Sequence, residues 1–179
     1  MDKYKNKKKK VEIKSCSFKF TNSIDKEINL FNYKYEKQNS SPAEKRSEGE
    51  ILKYLNIIKN KKNIFILKIY KENVMLGYSI LIKEKIINTN YYRMFLGELR
   101  LYKQFHYNLD EIFDFFCEFS KKENCSILEL RNLSKKILRK FNNKHYFLRK
   151  IDHNPYLIKF NTNFKKSEID IIKTNFETS

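Results

Sequence analysis

Few side chains in this sequence have the types and spacing that chemistry requires, and those few narrow the options. His106, His145 and His153 are the only histidines, too few and too scattered for a ligand set, so no metal is expected. Cys16, Cys117 and Cys125 show no CxxC spacing and lie in apolar segments. Neither a disulfide framework nor a zinc site is expected, and Cys117 and Cys125 read as core. There is no Gly-x-Ser-x-Gly elbow, and Gly49, Gly77 and Gly97, the only glycines, leave no Walker loop or dinucleotide fingerprint. What remains is charge. Glu98 and Arg100 share one face of an apolar segment whose other face carries Leu99 and Leu101, so the pair can neutralise itself or act on a substrate.

Lysine supplies two further groups. Lys3, Lys5, Lys7, Lys8, Lys9 and Lys10 make a basic arm over residues 1–10, expected to be disordered. Lys135, Lys136, Arg139, Lys140 and Lys144 stack on the outer surface of a predicted helix, where they suit phosphates or a solvated face. The chain holds 38 Lys+Arg against 21 Asp+Glu, a formal net charge of +17 over 179 residues. Such a charge attracts nucleic acid and other anions. A coding sequence rich in A+T produces the same excess of Lys, Asn and Ile, so charge alone does not choose between function and codon usage.

The elements that must position these groups follow from periodicity. A chain of this length buries a core without staples, and its longest apolar runs are about half of the roughly 20 residues a membrane span needs. With no secretory signal, a soluble cytoplasmic protein without membrane partners is expected. Val11 to Phe20 alternates as a strand with a slip near Ser15. Residues 22–38 are ambiguous, with Ile24, Ile28 and Phe31 at helical spacing. Ser41-Pro42 starts a helix carrying Ile51, Leu52, Leu55 and Ile58. Ile64 to Tyr70 and Val74 to Ile82 form a hairpin across Lys71-Glu72-Asn73, and Tyr92 to Tyr102 is a third strand. Asn108 caps a helix from Leu109 to Lys122, with Ile112, Phe113, Phe116 and Phe119 inward. Ser126 to Arg131 is a short buried strand, a basic helix follows Asn132, and Tyr146 to Ile151 and Tyr156 to Phe160 close the domain around Asp152-His153-Asn154-Pro155. This predicts a mixed α/β fold, a mostly antiparallel central sheet of about six to seven strands flanked by helices. One domain spans 11–161, and a tail over 162–179 carries a short helix near Ile169 to Ile172.

This element order, with the local sequence from Ile64 to Phe160, resembles the GNAT superfamily of acyl-CoA-dependent N-acyltransferases over about 100 residues. In that family a strand ends in a splayed bulge, a phosphate-cradling loop Arg/Gln-x-x-Gly-x-Gly/Ala opens the next helix, and the following strand leads to an Asn. Here Glu98-Leu99-Arg100-Leu101-Tyr102-Lys103 matches the splayed strand, and Gln104-Phe105-His106-Tyr107-Asn108-Leu109 falls in the loop register, with Tyr107 and Leu109 where the family has glycine. The resemblance implies transfer of an acyl group from acetyl-CoA or another acyl-CoA to an amine. It implies Glu98 as base and Tyr146 in the place of the leaving-group tyrosine. It further implies pantetheine against Leu99, Leu101, Tyr102 and Asn132, with the pyrophosphate facing Lys103, Gln104, His106, Tyr107 and Asn108. The alternative is a non-catalytic GNAT-like module that binds RNA, DNA or a ribonucleoprotein through Lys7, Lys8, Lys9, Lys10 and the stripe from Lys135 to Lys144.

Overall fold

The computed structural model describes residues 16–38, 61–131, 133, 137, 147–151 and 154–161. The basic arm, the helix begun by Pro42, Asn132, the helix with Lys135, Lys136, Arg139, Lys140 and Lys144, Tyr146 and the tail lie outside them.

Among the described residues, seven strands form one sheet in the order β1-β2-β3-β4-β5-β7-β6. They are β1 (Ser17–Thr21), β2 (Ile64–Lys71), β3 (Val74–Lys85), β4 (Tyr92–Leu101), β5 (Ile127–Leu130), β6 (Phe147–Ile151) and β7 (Asn154–Phe160). Every neighbouring pair is antiparallel except β4 with β5. Parallel neighbours need a crossover, and α2 (Leu109–Lys122) provides it. The β2–β3 hairpin turns through Glu72 and Asn73, both at positive φ (50° and 66°), the geometry a two-residue turn needs to match strand twist. The β6–β7 connection is tighter than the sequence predicts, because Asn154 and Pro155 already pair with Ile151 and Lys150.

The two faces of the sheet bury different helices. On one, Leu67, Ile69, Leu81, Met94, Leu96, Leu101 and Leu128 pack with Ile112, Phe113 and Phe116 of α2. On the other, Ile66, Tyr78, Ile80 and Ile82 pack with Ile28 and Phe31 of α1 (Lys26–Gln38). This double cover is why β2 and β3 read as apolar on both sides. The segment over 22–38, ambiguous in sequence, resolves at Asp25: its Oδ1 accepts the amide N–H groups of Glu27 and Ile28 at 3.1 Å each and caps α1. Lys68 of β2 reaches Asp25 and Glu27 at 2.5 and 2.8 Å and ties the helix start to the sheet. Cys16, Cys117 and Cys125 are all buried, and none of them forms a disulfide. No helix among the described residues is long and apolar enough to cross a membrane.

Candidate active site

The site begins with a fault in β4. Ile80 of β3 pairs with Glu98 while Leu81 pairs with Leu96, so Gly97 is an extra residue and β4 bulges there. On its other side β4 pairs with β5 through only Arg93↔Ile127, Met94↔Leu128 and Phe95↔Glu129. Beyond Phe95, β4 continues beside β3 as far as Leu101↔Gly77, while β5 continues beside β7 at Leu130↔Leu157. Each strand keeps its outer neighbour and loses the other. The sheet therefore opens as a V, and among the described residues the inner edge of β4 from Leu96 to Leu101 has no strand neighbour.

The bulge and the alternation of side chains decide what faces the opening. Leu99 and Leu101 point to the α2 side and join its core. Glu98 and Arg100 lie on the α1 side, where Arg100 Nε donates to Glu98 Oε1 at 2.7 Å and Arg100 Nη1 to Asn32 Oδ1 of α1 at 3.3 Å. The Arg100 guanidinium also lies 5.6 Å from the centre of the Tyr35 ring. Tyr102 sets its ring at a tilt against Phe31 and Tyr35, 4.7 and 5.9 Å between centroids, and burial raises its phenol pKa.

The segment in the phosphate-loop register is not an open loop. Lys103–Asn108 forms a 3₁₀ turn that runs straight into α2. The amide of Phe105 donates to the Tyr102 carbonyl at 2.9 Å and that of Leu109 to the His106 carbonyl, so part of the backbone that would cradle an anion is spent internally. Lys103, Gln104 and Tyr107 are exposed, and His106 is half-buried. Lys71 lies over the Tyr107 ring at 5.0 Å. Asn108 stands at the helix start as expected, but its side chain is buried, makes no capping bond, and its Oδ1 has no hydrogen-bond partner. Leu109 is a core residue. Asn132 and Tyr146 lie outside the described residues.

A second charged group lies on the other arm. Glu129 is fully buried on β5, with Arg131 Nε donating to its Oε2 at 2.8 Å and Arg93 Nη1 to its Oε1 at 3.4 Å. Arg93 Nη2 also holds Glu84 Oε1 at 2.8 Å. Sequence reasoning passed over Glu129 and Arg131 as part of a short buried strand. The signal was available: Glu98-Leu99-Arg100 and Glu129-Leu130-Arg131 are the same tripeptide, and a Glu inside a four-residue buried strand needs a partner.

No family model and no curated protein matches this sequence. Solved structures do. The NatC complex bound to Gag peptide and CoA aligns at a TM-score of 0.57 and 14% identity over 83% of this chain and 99% of that one. An acetyltransferase of the GNAT family from Staphylococcus aureus Mu50 aligns at 0.55 and 12% identity, over 83% and 100%. FeeM, an N-acyl amino acid synthase from uncultured soil microbes, aligns at 0.56 and 5% identity, over 82% and 91%. The chain has the GNAT fold. The GNAT elements expected from sequence, the bulged β4, its splay from β5 and the α2 crossover, are all present in it.

Proposed function

We propose that this GNAT-fold protein transfers an acyl group from acetyl-CoA or another acyl-CoA to an amine. The observation that carries the reading is the V between β4 and β5, with a carboxylate, Glu98, on the α1 side of its open arm. The inner edge of β4 from Leu99 to Leu101, with no strand neighbour among the described residues, suits the amides of a pantetheine arm, which would lie there like an added strand. The solved relatives support the donor class: one is a complex bound to CoA and another is an N-acyl amino acid synthase.

In this reading the acceptor approaches from the α1 side. An amine must lose a proton before it attacks, and Glu98 takes it, directly or through water. The nitrogen bonds to the thioester carbonyl carbon, the C–S bond breaks, and the proton passes from Glu98 to the leaving thiolate or to solvent. Arg100 holds Glu98 in place and Asn32 holds Arg100, so α1 orients the base. At the far end, Lys103 and Gln104 are the exposed side chains that would meet the pyrophosphate, with His106, Tyr107 and the start of α2 beside them. Tyr107 and Leu109 replace the family's glycines, so fewer backbone amides reach the phosphates and weaker donor binding is expected.

Thermal unfolding with acetyl-CoA, free CoA and a short RNA, at low and moderate salt, tests the reading. Stabilisation by the CoA ligands that survives moderate salt is expected. No shift at millimolar CoA ligand overturns it. Stabilisation by RNA alone, vanishing with salt, replaces it with the basic binding module. With donor binding in hand, Glu98→Gln is expected to lower kcat/KM by about a hundredfold or more while acetyl-CoA still stabilises the fold. An unchanged rate removes Glu98 as base.

A further inference from the structure

Glu84, Arg93, Glu129 and Arg131 form one chain of ion pairs that ends at the mouth of the V. Its interior members are nearly dry: the Glu129 side chain is 0% exposed and that of Arg93 9%. Placing such charges inside a protein gains little stability over an apolar core of the same volume, because the desolvation cost offsets the attraction. What the chain achieves is position. Arg131 follows Glu129 by two residues and so shares its face, and Glu129 with Phe95 is the last pair before the strands part. The Arg131 guanidinium is held along one side by Nε and Nη2 donating to Glu129 Oε2, and it lies 4.8 Å from the centre of the Phe95 ring. Phe95 packs with the α1-side core, so Arg131 is fixed on that side of the sheet. Its side chain keeps 35% exposure, against 6% for Arg100.

The two arms thus present opposite groups on one side. β4 carries Glu98, the base of the proposed reaction, and β5 carries Arg131, whose side chain reaches solvent and whose guanidinium is fixed in orientation by a buried carboxylate and a ring. A planar guanidinium held in this way recognises a carboxylate. We propose that Arg131 is the specificity-determining residue of the acceptor side and that the acceptor is an amine that also bears a carboxylate, as an amino acid does. This rests on the acyltransferase reading: the amine meets Glu98 on one arm and the carboxylate meets Arg131 on the other. Glu129 acts through Arg131 as a positioning residue.

The test uses the full chain with acetyl-CoA and follows release of the CoA thiol. Acceptors are a panel of common amino acids and, for each, its carboxamide, which keeps the amine and removes the negative charge. Amino acids are expected to react with at least tenfold higher kcat/KM than their carboxamides. Arg131→Gln, and Arg131→Lys, which retains a positive charge beside buried Glu129, are expected to raise KM for amino acids at least tenfold. The KM for acetyl-CoA and the rates with carboxamides stay unchanged. Equal use of acids and carboxamides, or an unchanged KM in both variants, overturns the inference and leaves acyl transfer standing. Succinyl-CoA is the second arm: an Arg131-dependent preference for it over acetyl-CoA, without acceptor discrimination, assigns the carboxylate to the acyl group and overturns the acceptor assignment. If no amine consumes acetyl-CoA, the acyltransferase reading fails, and calorimetric titration of the same panel decides on Arg131 alone. Binding of amino acids at least tenfold tighter than of carboxamides, lost in Arg131→Gln, upholds carboxylate recognition, and equal or absent binding overturns it.

Discussion

Gly77 of β3 lies so close to Arg100 of β4 that a Cβ at position 77 would stand 2.0 Å from the Arg100 carbonyl oxygen. The obstacle is backbone, on the side of β4 that pairs with β3, so no side-chain rotation relieves the clash. Gly77→Ala is expected to push the end of β4 away from β3, to cost about 3 kcal/mol of stability, and to weaken acyl-CoA binding. Urea unfolding of the variant checks this. A midpoint within experimental error of the parent would show that the strands part more easily than their packing implies.

The two residues in place of the loop glycines differ in what they do, and substitution separates them. Tyr107 is 59% exposed and Leu109 2%. Tyr107→Gly removes a ring from the approach to the 3₁₀ turn at little cost to the core. Acyl-CoA binding is expected to tighten about tenfold, the effect of about one added hydrogen bond to a charged group. Leu109→Gly empties a core site at the start of α2 and is expected to cost about 3–5 kcal/mol. Calorimetric titration of the first variant and thermal unfolding of the second give the two answers, and a Tyr107→Gly protein with unchanged affinity would deny the turn a part in donor binding.

The start of α1 should make stability depend on pH on its acid side. Burial pulls the Asp25 carboxyl upward, but Lys68 and the amides of Ile28 and Glu27 outweigh it and hold the group below the usual carboxylate range. Glu27 is lowered by hydrogen bonds from Lys68 and then from the Tyr70 hydroxyl. A carboxylate with a lowered folded pKa contributes stability that is present above its unfolded value, near 4, and lost as pH falls through the folded value. Lys68 behaves oppositely. Burial opposes its charge, Asp25 and Glu27 more than restore it, and its raised pKa keeps the ammonium well into the alkaline range. Lys68→Met is therefore expected to flatten the fall in Tm between about pH 5 and pH 2 and to leave the slope from pH 6 to 9 unchanged. An acid limb as steep as the parent's would assign the dependence to other carboxylates.

Two thiols should resist alkylation. Burial, and then the neighbouring Glu111 carboxyl, push Cys16 up to about 12. Burial also pushes Cys125 up to about 11. Because the thiolate is the reactive form, iodoacetamide at pH 8 is expected to modify both at least about a hundredfold more slowly in the folded protein than in urea. Site-resolved mass spectrometry reads each rate. Rapid loss of either thiol in the native state would show that its wall of α2 or β1 opens.

Much of this architecture was legible because local signals agreed with the fold. The hairpin at Lys71-Glu72-Asn73, the helix from Leu109 to Lys122 and the strand from Tyr92 all follow from periodicity and turn chemistry close to their observed bounds. Glu98 beside Arg100 was legible for the same reason, since residues two apart on a strand share a face. The segment over 22–38 was not, because α1 is fixed by Lys68, about 40 residues away, as much as by its own pattern. Burial of Asn108 was hidden too: capping residues normally face water, and this one is turned inward, hydrogen-bonded to the Cys16 thiol from 92 residues earlier in the chain. The ion-pair chain through Glu129 joins β3, β4 and β5, and no local window of sequence contains all three.

The parting of β4 from β5 also divides the molecule's motion. Strands β1 to β4 are consecutive antiparallel neighbours along most of their length, and β5, β7 and β6 form a second such group. Among the described residues, three paired positions join the groups across the sheet, together with the Ser126 amide, which reaches the Tyr92 carbonyl at 2.8 Å, and the Arg93–Glu129 ion pair. Backbone amides along this seam should exchange with solvent through openings that leave both groups folded, well below the free energy of global unfolding. A ligand laid between the inner edge of β4 and β5 would bridge the groups, and slowed exchange in β7 would then report its arrival at residues it never touches.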